Sequence, residues 1–351
     1  MDDKNLENKY FTILLDENGN FSSIYDKINA REILQKGKKG NLLQAFEDKP
    51  LTYDAWDINI YYQEKMWEIN DLTGVQVTEA GPVRSALKIN RKFLDSTIEQ
   101  TIYLYNDINR IDFDNTIDWK EKQILLKAAF PVDIHADKAT YEIQYGNVER
   151  PTHWNTSWDR ARFEVCGHKW ADLSEGGYGV SLLNDCKYGH DIKDSVMRLT
   201  LLKSSTNPNV DADRETHRFI YSLYPHVGDW KTAGVTDMAY KLNCPMYAKV
   251  EAAHDGSLPA EFSFVSLDRD NVMIEVVKKA EDSDDTIVRL YEYKNERATI
   301  KLTCCKPLVY AAECDLMENE TDTIKVEENT FDFEIKPYEI KTFKIRFQAI
   351  E

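Results

Sequence analysis

Apolar and polar side chains alternate along much of the chain, most clearly in residues 110–119. Successive side chains of a β-strand point to opposite faces, so this alternation predicts a strand with one buried face. Residues 98–105 alternate in the same way, and the turn-forming residues 106–109 separate the two runs. Together they predict an antiparallel hairpin. Its buried face would hold Ile111, Phe113, Ile117 and Trp119.

The rest of the chain repeats this pattern and contains few helical signals. Residues 16–20 read Asp-Glu-Asn-Gly-Asn, a turn sequence between strand-like runs at 11–15 and 21–25. Helical spacing of apolar residues is best in 233–242, which is short. An all-β protein is therefore predicted, and its aromatic content of 11% agrees with this because rings pack well on pleated surfaces.

A domain boundary is predicted near residues 253–259, where turn formers interrupt the pattern. The first domain, 1–258, would be a large antiparallel β-domain, and the second, 259–351, a small β-sandwich. The second domain has shorter strand-like runs separated by polar turns. They are 272–277, 286–293, 298–303, 330–335 and 340–347.

The net charge and the cysteine content indicate which partners this chain would not bind and in which cellular compartment it would fold. The chain has 44 basic and 61 acidic side chains, a net charge of −17, which repels nucleic acid and anionic membranes. It has no signal-like N-terminal segment and no run of eighteen apolar residues. Its six cysteines are sparse and lack C-x-x-C spacing, so reduced, mostly buried thiols are expected. These features favour a cytoplasmic protein.

Three stretches are specific enough to indicate a family. The most specific reads GNVERPTHWNTSWDRARFE at 146–164 and continues through HKWADLSE at 168–175 to LLNDCKYG at 182–189. The other two are residues 6–27 and 276–292. Together they resemble the C-terminal β-domains of family 38 α-mannosidases, with 6–27 similar to the opening of the large β-domain and 276–292 to the small terminal sandwich. The most specific stretch is similar to the cytosolic and bacterial branch of the family more than to the Golgi or lysosomal branch.

The resemblance implies a galactose-mutarotase-like supersandwich followed by a smaller β-sandwich. In this family an N-terminal β/α barrel carries the zinc ion, the nucleophilic Asp and the acid/base carboxylate, and no stretch of this chain resembles that barrel. The resemblance therefore implies a C-terminal region with no catalytic residue, metal ligand or cofactor of its own, inactive alone. It also implies a parent that is a zinc-dependent, retaining glycoside hydrolase acting on terminal α-D-mannosides.

The implied partners are α-mannosides or mannose oligosaccharides and the catalytic barrel of the same polypeptide, with a homo-oligomer also possible. No nucleic acid or membrane partner is expected.

Nothing in the residues replaces the missing catalytic part. A retaining glycosidase needs two carboxyl groups about 5 Å apart, and 61 acidic residues do not identify such a pair. The seven histidines show no metal-ligand spacing.

Residues 150–162 combine charged, amide and aromatic side chains, which suits a loop that faces a pyranose. We interpret Arg150, His153 and Asn155 as substrate-binding residues, with Pro151 stiffening the entry to the loop. The alternative is structural. In that interpretation the two tryptophans of the loop are core rings, and its arginines pair with acids on the sheet surface.

A second polar cluster follows the apolar run at 182–183. Asp185 and Tyr188 are interpreted as substrate-binding residues that reach either the mannoside or the barrel. The alternative is an ordinary turn in which Asp185 accepts hydrogen bonds from backbone amides.

Two other functions remain open for the whole chain. The first is a free-standing carbohydrate-binding module. The second is a mutarotase-like sugar epimerase, for which His153 and Glu164 would supply the His and Glu of the reaction, although a shared fold is weak support for a shared activity.

Overall fold

The computed structural model describes residues 3–257 and 259–349. They contain 27 strands, two α-helices and one 3-10 helix. The chain divides into two compact units, the first formed by Met1–Glu142 with Val148–Met246 and the second by Ile143–Asn147 with Tyr247–Glu351. The predicted boundary between 258 and 259 falls at Leu258, which lies outside the described residues, and it stays a prediction.

Nineteen strands precede the second helix. They are β1 Asn5–Glu7, β2 Phe11–Leu15, β3 Phe21–Asp26, β4 Arg31–Glu32, β5 Leu42–Glu47, β6 Met66–Glu68, β7 Asp71–Ala80, β8 Arg84–Phe93, β9 Ser96–Tyr105, β10 Ile111–Asp118, β11 Ile124–Pro131, β12 Lys138–Ile143, β13 Gly146–Pro151, β14 Val165–Cys166, β15 Trp170–Ser174, β16 Tyr178–Asn184, β17 Gly189–Lys193, β18 Val196–Lys203 and β19 Thr216–Val227. The 3-10 helix is Ile60–Glu64, and the α-helices are α1 Ser157–Arg160 and α2 Val235–Asn243.

These strands form three sheets, and every strand pairing described in them is antiparallel. The largest has nine strands in the order β13-β12-β15-β16-β19-β10-β9-β8-β7. The second has six, in the order β14-β17-β18-β11-β5-β6, and the third is β1-β2-β3-β4. One continuous apolar core takes inward-facing residues from all three sheets, including Phe11, Phe113, Phe130 and Leu182.

The second unit contains two further sheets. Its strands are β20 Val265–Leu267, β21 Val272–Lys279, β22 Thr286–Glu292, β23 Ala298–Cys304, β24 Leu308–Cys314, β25 Glu320–Thr323, β26 Thr330–Ile335 and β27 Ile340–Phe347. The sheets have the orders β20-β23-β26 and β21-β22-β27-β24-β25. A separate core, which includes Val288, Leu302, Phe333 and Phe343, takes side chains from both sheets, as in a small β-sandwich.

The predicted all-β fold class, a large supersandwich followed by a small sandwich, is confirmed. The predicted hairpin is β9 and β10, in which Ile98 lies opposite Ile117. The predicted burial of thiols is wrong for three of the six cysteines, because Cys166, Cys186 and Cys244 are exposed. The described residues include no helix with the length and apolarity needed to cross a bilayer.

Candidate functional site

A group of charged side chains lies on the face of the six-stranded sheet opposite the main core. In β11, Leu126 and Ala128 belong to that core, so Lys127 between them points to the other face. The strand register places Lys127 opposite Gln44 of β5. It also places Asp191 of β17 opposite Arg198 of β18. The sheet itself therefore brings these four side chains together.

The side chains form one hydrogen-bonded ion network. Lys127 has no exposed side-chain surface, and its Nζ donates to Asp191 Oδ2 at 2.6 Å. Glu164, which follows α1, forms a second ion pair with Lys127. Arg198 Nη1 donates to the other carboxylate oxygen of Asp191 at 2.8 Å. Two cations thus face two carboxylates, so no charge of this network is left unpaired, and removal of one partner would leave an uncompensated buried charge.

A tyrosine from the 3-10 helix covers the network. The hydroxyl of Tyr62 donates to Glu164 Oε1 at 2.6 Å and lies 3.1 Å from Lys127 Nζ. That ammonium is also 4.8 Å from the centroid of the tyrosine ring. Phe46 and Leu125 pack with Tyr62 in a small apolar cluster on this face. Water is therefore kept away from the ammonium group.

Burial and charge shift the pKa of several groups. Burial alone would lower the pKa of Lys127, but the charges of Asp191 and Glu164 outweigh it and raise this pKa above its usual range. Burial would raise the pKa of Asp191, but Lys127 and Arg198 hold it below its usual value. Burial raises the pKa of Glu164 to about 7, against the opposing attraction of Lys127. His190 directly precedes Asp191 in the sequence, and burial and the charge of Lys127 lower the pKa of its side chain to about 3.

A cleft of about 290 Å³ opens beside the network, and we call it the sheet cleft. Its wall combines carboxylates, a guanidinium, two amides and aromatic rings. The lining residues are Gln44, Phe46, Tyr62, Gln63, Met66, Trp154, Asp191, Lys193, Asp194, Val196 and Arg198. Six of these eleven residues are charged or carry an amide, so the wall is rich in groups that can hydrogen-bond and fix the orientation of a ligand.

The loop predicted to bind substrate borders this cleft through one residue only. Trp154 lines the cleft, whereas His153 and Asn155 on either side of it do not. Asn155 donates its backbone N–H to His153 Nδ1 at 3.4 Å, and that nitrogen lies 3.6 Å from Asp159 Oδ2. Asp159 in turn forms a capping box with Thr156 at the start of α1. The two predicted residues are therefore held by the loop itself.

The structural alternative for the two tryptophans of this loop is not supported. Trp158 is 75% exposed, so it is not a core ring. Trp154 is partly buried, and Lys193 Nζ lies 3.9 Å from its ring centroid.

Arg150 lies in β13, away from the sheet cleft. Its guanidinium is 4.7 Å from the ring centroid of Tyr141, and burial lowers the pKa of this arginine. The buried Nη1 atom makes no hydrogen bond to any described residue. The substrate-binding role of Arg150 stays a prediction.

Asp185 and Tyr188 lie in the loop between β16 and β17, and neither lines the sheet cleft. Asp185 Oδ2 accepts a hydrogen bond from the backbone N–H of Ile220, in β19, at 3.1 Å. The ring of Tyr188 packs edge-on against His168, with centroids 4.9 Å apart. Their roles toward substrate stay predictions.

The network was not predicted from the sequence, since Glu164 was considered only for the epimerase alternative and neither Lys127 nor Asp191 was singled out, although one signal was present. Lys127 interrupts the apolar run ILLKAAF at 124–130, and a lysine in a strand buried on both faces needs carboxylate partners. The partners lie 37 and 64 positions away in Glu164 and Asp191, so only the fold identifies them.

The described residues do not fit a metal centre. Across 3–257 and 259–349 no three His, Cys, Asp or Glu side chains converge as metal ligands would. We therefore assign no metal-dependent step to these residues.

Comparison with known proteins agrees with this architecture. The family model described as glycosyl hydrolases family 38 C-terminal domain matches residues 6–211. A second model, the family 38 C-terminal beta sandwich domain, matches residues 271–343. In fold, the chain matches an α-mannosidase of Enterococcus faecalis V583 with a TM-score of 0.79 over 98% of this chain and 42% of that one, at 16% identity.

Two similar relatives cover nearly all of the chain. Alpha-mannosidase G of Dictyostelium discoideum is 37% identical over 349 residues, which are 97% of this chain and 32% of that protein. Alpha-mannosidase 2C1 of Homo sapiens is 35% identical over 350 residues, 98% of this chain and 34% of that protein. The chain thus spans about a third of the length of these relatives.

The paired β-units and the two matched models define the class, an all-β C-terminal region of a glycoside hydrolase. The chain belongs to glycosyl hydrolase family 38.

Proposed function

We propose that this chain is the C-terminal β-region of an α-mannosidase that hydrolyses terminal α-D-mannosides with retention. The observation that carries the proposal is the match of 97% of the chain to a protein named alpha-mannosidase G. The catalytic carboxylates and a zinc ion belong, in this proposal, to the remaining part of the parent polypeptide. That part is the partner of this chain, and the protein acts in the cytoplasm.

The role of the chain in the parent is to support the catalytic part and to complete the mannoside cleft with its loops. The capping box of Thr156 and Asp159 supports this role, because it fixes the loop that carries His153 and Asn155 before substrate arrives. The epimerase alternative has no such support. Its Glu164 is already bound to Lys127 and Tyr62, which leaves it poorly placed to exchange protons with a sugar.

Two activity measurements test the assignment. The 351-residue chain is expected to release no product from an aryl α-mannoside, with or without zinc, whereas the full-length parent is expected to release it. Activity that copurifies with the chain alone, or a full-length parent without α-mannosidase activity, would each contradict the proposal.

Alanine substitution tests the loop in the full-length parent. His153→Ala and Asn155→Ala are expected to lower kcat/KM about ten- to hundredfold, because contacts that strengthen in the transition state are lost. Trp158→Ala, an exposed change in the same loop, is the control and should leave kcat/KM near wild type. If His153→Ala lowers only the melting temperature and leaves kcat/KM unchanged, the residue has a structural role instead.

A further inference from the structure

The sheet cleft has the features of a binding site that this chain possesses without any other part of the parent. We propose that it is a saccharide subsite, which holds one neutral pyranose against Trp154 with hydrogen bonds from Gln44 and Arg198. The inference deepens the proposed function and rests on it only for the choice of mannose as the sugar.

The size of the cleft favours a single sugar ring. Its volume of about 290 Å³ lies just below the roughly 300–1,000 Å³ range of drug-sized small-molecule sites. A longer oligosaccharide would extend beyond it. The lining also contains the partly buried indole of Trp154, and aromatic rings of this kind pack against the C–H face of a pyranose. The Lys193 ammonium lies over one face of this indole, so the other face is the one that a sugar can use.

The polar groups of the cleft are fixed in place and retain free donors. Arg198 is held by two hydrogen bonds, from Nε to Gln44 Oε1 at 2.9 Å and from Nη1 to Asp191 at 2.8 Å. Within the described residues no hydrogen bond is seen for Arg198 Nη2 or Gln44 Nε2. These two groups can donate to sugar hydroxyls. Because Asp191 is itself held by the buried Lys127, little ordering cost remains when a ligand binds.

The charge of the cleft selects a neutral ligand. Lys127 and Arg198 are balanced by Asp191 and Glu164, as described above. At the rim, Lys193 Nζ lies 3.5 Å from Asp194 Oδ2. Among the described residues that line the cleft or join its ion network, no surplus cation is therefore available for a phosphate, and a phosphorylated sugar gains nothing over a neutral one.

The test is a titration of the 351-residue chain with methyl α-D-mannopyranoside, followed by ligand-observed saturation-transfer NMR and calorimetry. Wild type is expected to bind with a Kd of about 1–10 mM, and Trp154→Ala to weaken binding at least about tenfold. Gln44→Leu should also weaken binding, and it serves as a second variant if Trp154→Ala does not fold. Trp158→Ala is the matched control, since that ring is exposed and outside the cleft, and it should bind within about twofold of wild type.

Three results would overturn the inference. The first is no binding by wild type at a mannoside concentration of about 50 mM, well above the millimolar Kd expected. The second is equal binding by wild type and by the folded Trp154→Ala and Gln44→Leu variants. The third is binding of mannose 6-phosphate at least about tenfold tighter than the neutral mannoside. If the full-length parent hydrolyses mannosides while the chain binds none, the subsite is refuted and the proposed function stands.

Discussion

Replacement of Lys127 by methionine should be among the most destabilising single changes in the first unit. The ammonium has no exposed surface and pairs with both Asp191 and Glu164, so Lys127→Met leaves two carboxylates in a poorly solvated position. Breaking one partner of such a network costs about 3–5 kcal/mol. Arg198 still holds Asp191 and Tyr62 still donates to Glu164, so we expect the lower end, about 3 kcal/mol.

Urea unfolding followed by tryptophan fluorescence measures this effect selectively. All seven tryptophans of the chain precede residue 231, so the fluorescence reports on the first unit. For an m value of about 3 kcal/mol/M, a loss of about 3 kcal/mol lowers the midpoint by about 1 M urea. The matched control is Lys138→Met, which breaks an exposed pair with Glu149 and should cost no more than about 1 kcal/mol.

A second change separates a lost charge from lost packing. Adding Glu164→Gln to Lys127→Met removes one of the unpaired carboxylates, so the double variant should recover about 1 kcal/mol or more. A loss below about 1 kcal/mol for Lys127→Met alone, similar to that of Lys138→Met, would refute the claim that the network is buried and coupled. Failure of Glu164→Gln to recover any stability would show that packing, not charge, causes the loss.

Three further outcomes are expected. The pKa of the His190 side chain is lowered to about 3 in the folded state, against about 6.5 in the unfolded state. As the pH falls below 6.5, this histidine therefore binds a proton in the unfolded chain but not in the folded one. Stability from this group therefore declines by about 2 kcal/mol between pH 6.5 and 5, and urea titrations of His190→Gln should lack that part of the decline. Gly179→Ala should cost about 1–3 kcal/mol, because its Cβ would lie 2.5 Å from His226 Cε1, whereas Gly177→Ala, with nothing within 4 Å, should be close to neutral in the same assay. Thr156→Ala should lose about 1 kcal/mol of cap energy, detected as faster amide exchange in the 157–160 helix; unchanged exchange would contradict the capping role.

The sequence identified the fold class because strand alternation is a local signal. The boundaries of β26 and β27 match the predicted 330–335 and 340–347, and α2 begins two residues after the predicted start. β24 was missed, since its run LVYAAEC does not alternate, and its pairing with β27 is a tertiary contact. Local pattern cannot supply such contacts.

Less of the candidate site could be predicted from the sequence, because its residues also meet only through tertiary contacts. Composition identified the loop around Trp154, and that ring does line a cleft. The opposite wall comes from Gln44, Asp191 and Arg198 on three strands, which the sequence separates by up to 154 positions. Asp185 was interpreted either as a substrate-binding residue or as part of a turn, and its bond to Ile220 of β19 is a contact between distant strands that neither interpretation anticipated.

The position of the last strand in each unit has a consequence for biosynthesis. β19 joins β16 to β10 in the middle of the nine-stranded sheet, and β27 joins β22 to β24 in the middle of the five-stranded sheet. As the chain leaves the ribosome, each of these sheets exists only as two unconnected halves until its central strand emerges. The nascent protein therefore exposes open strand edges for longer than a meander would, which raises the risk of edge-to-edge aggregation until β19 and β27 have been synthesised.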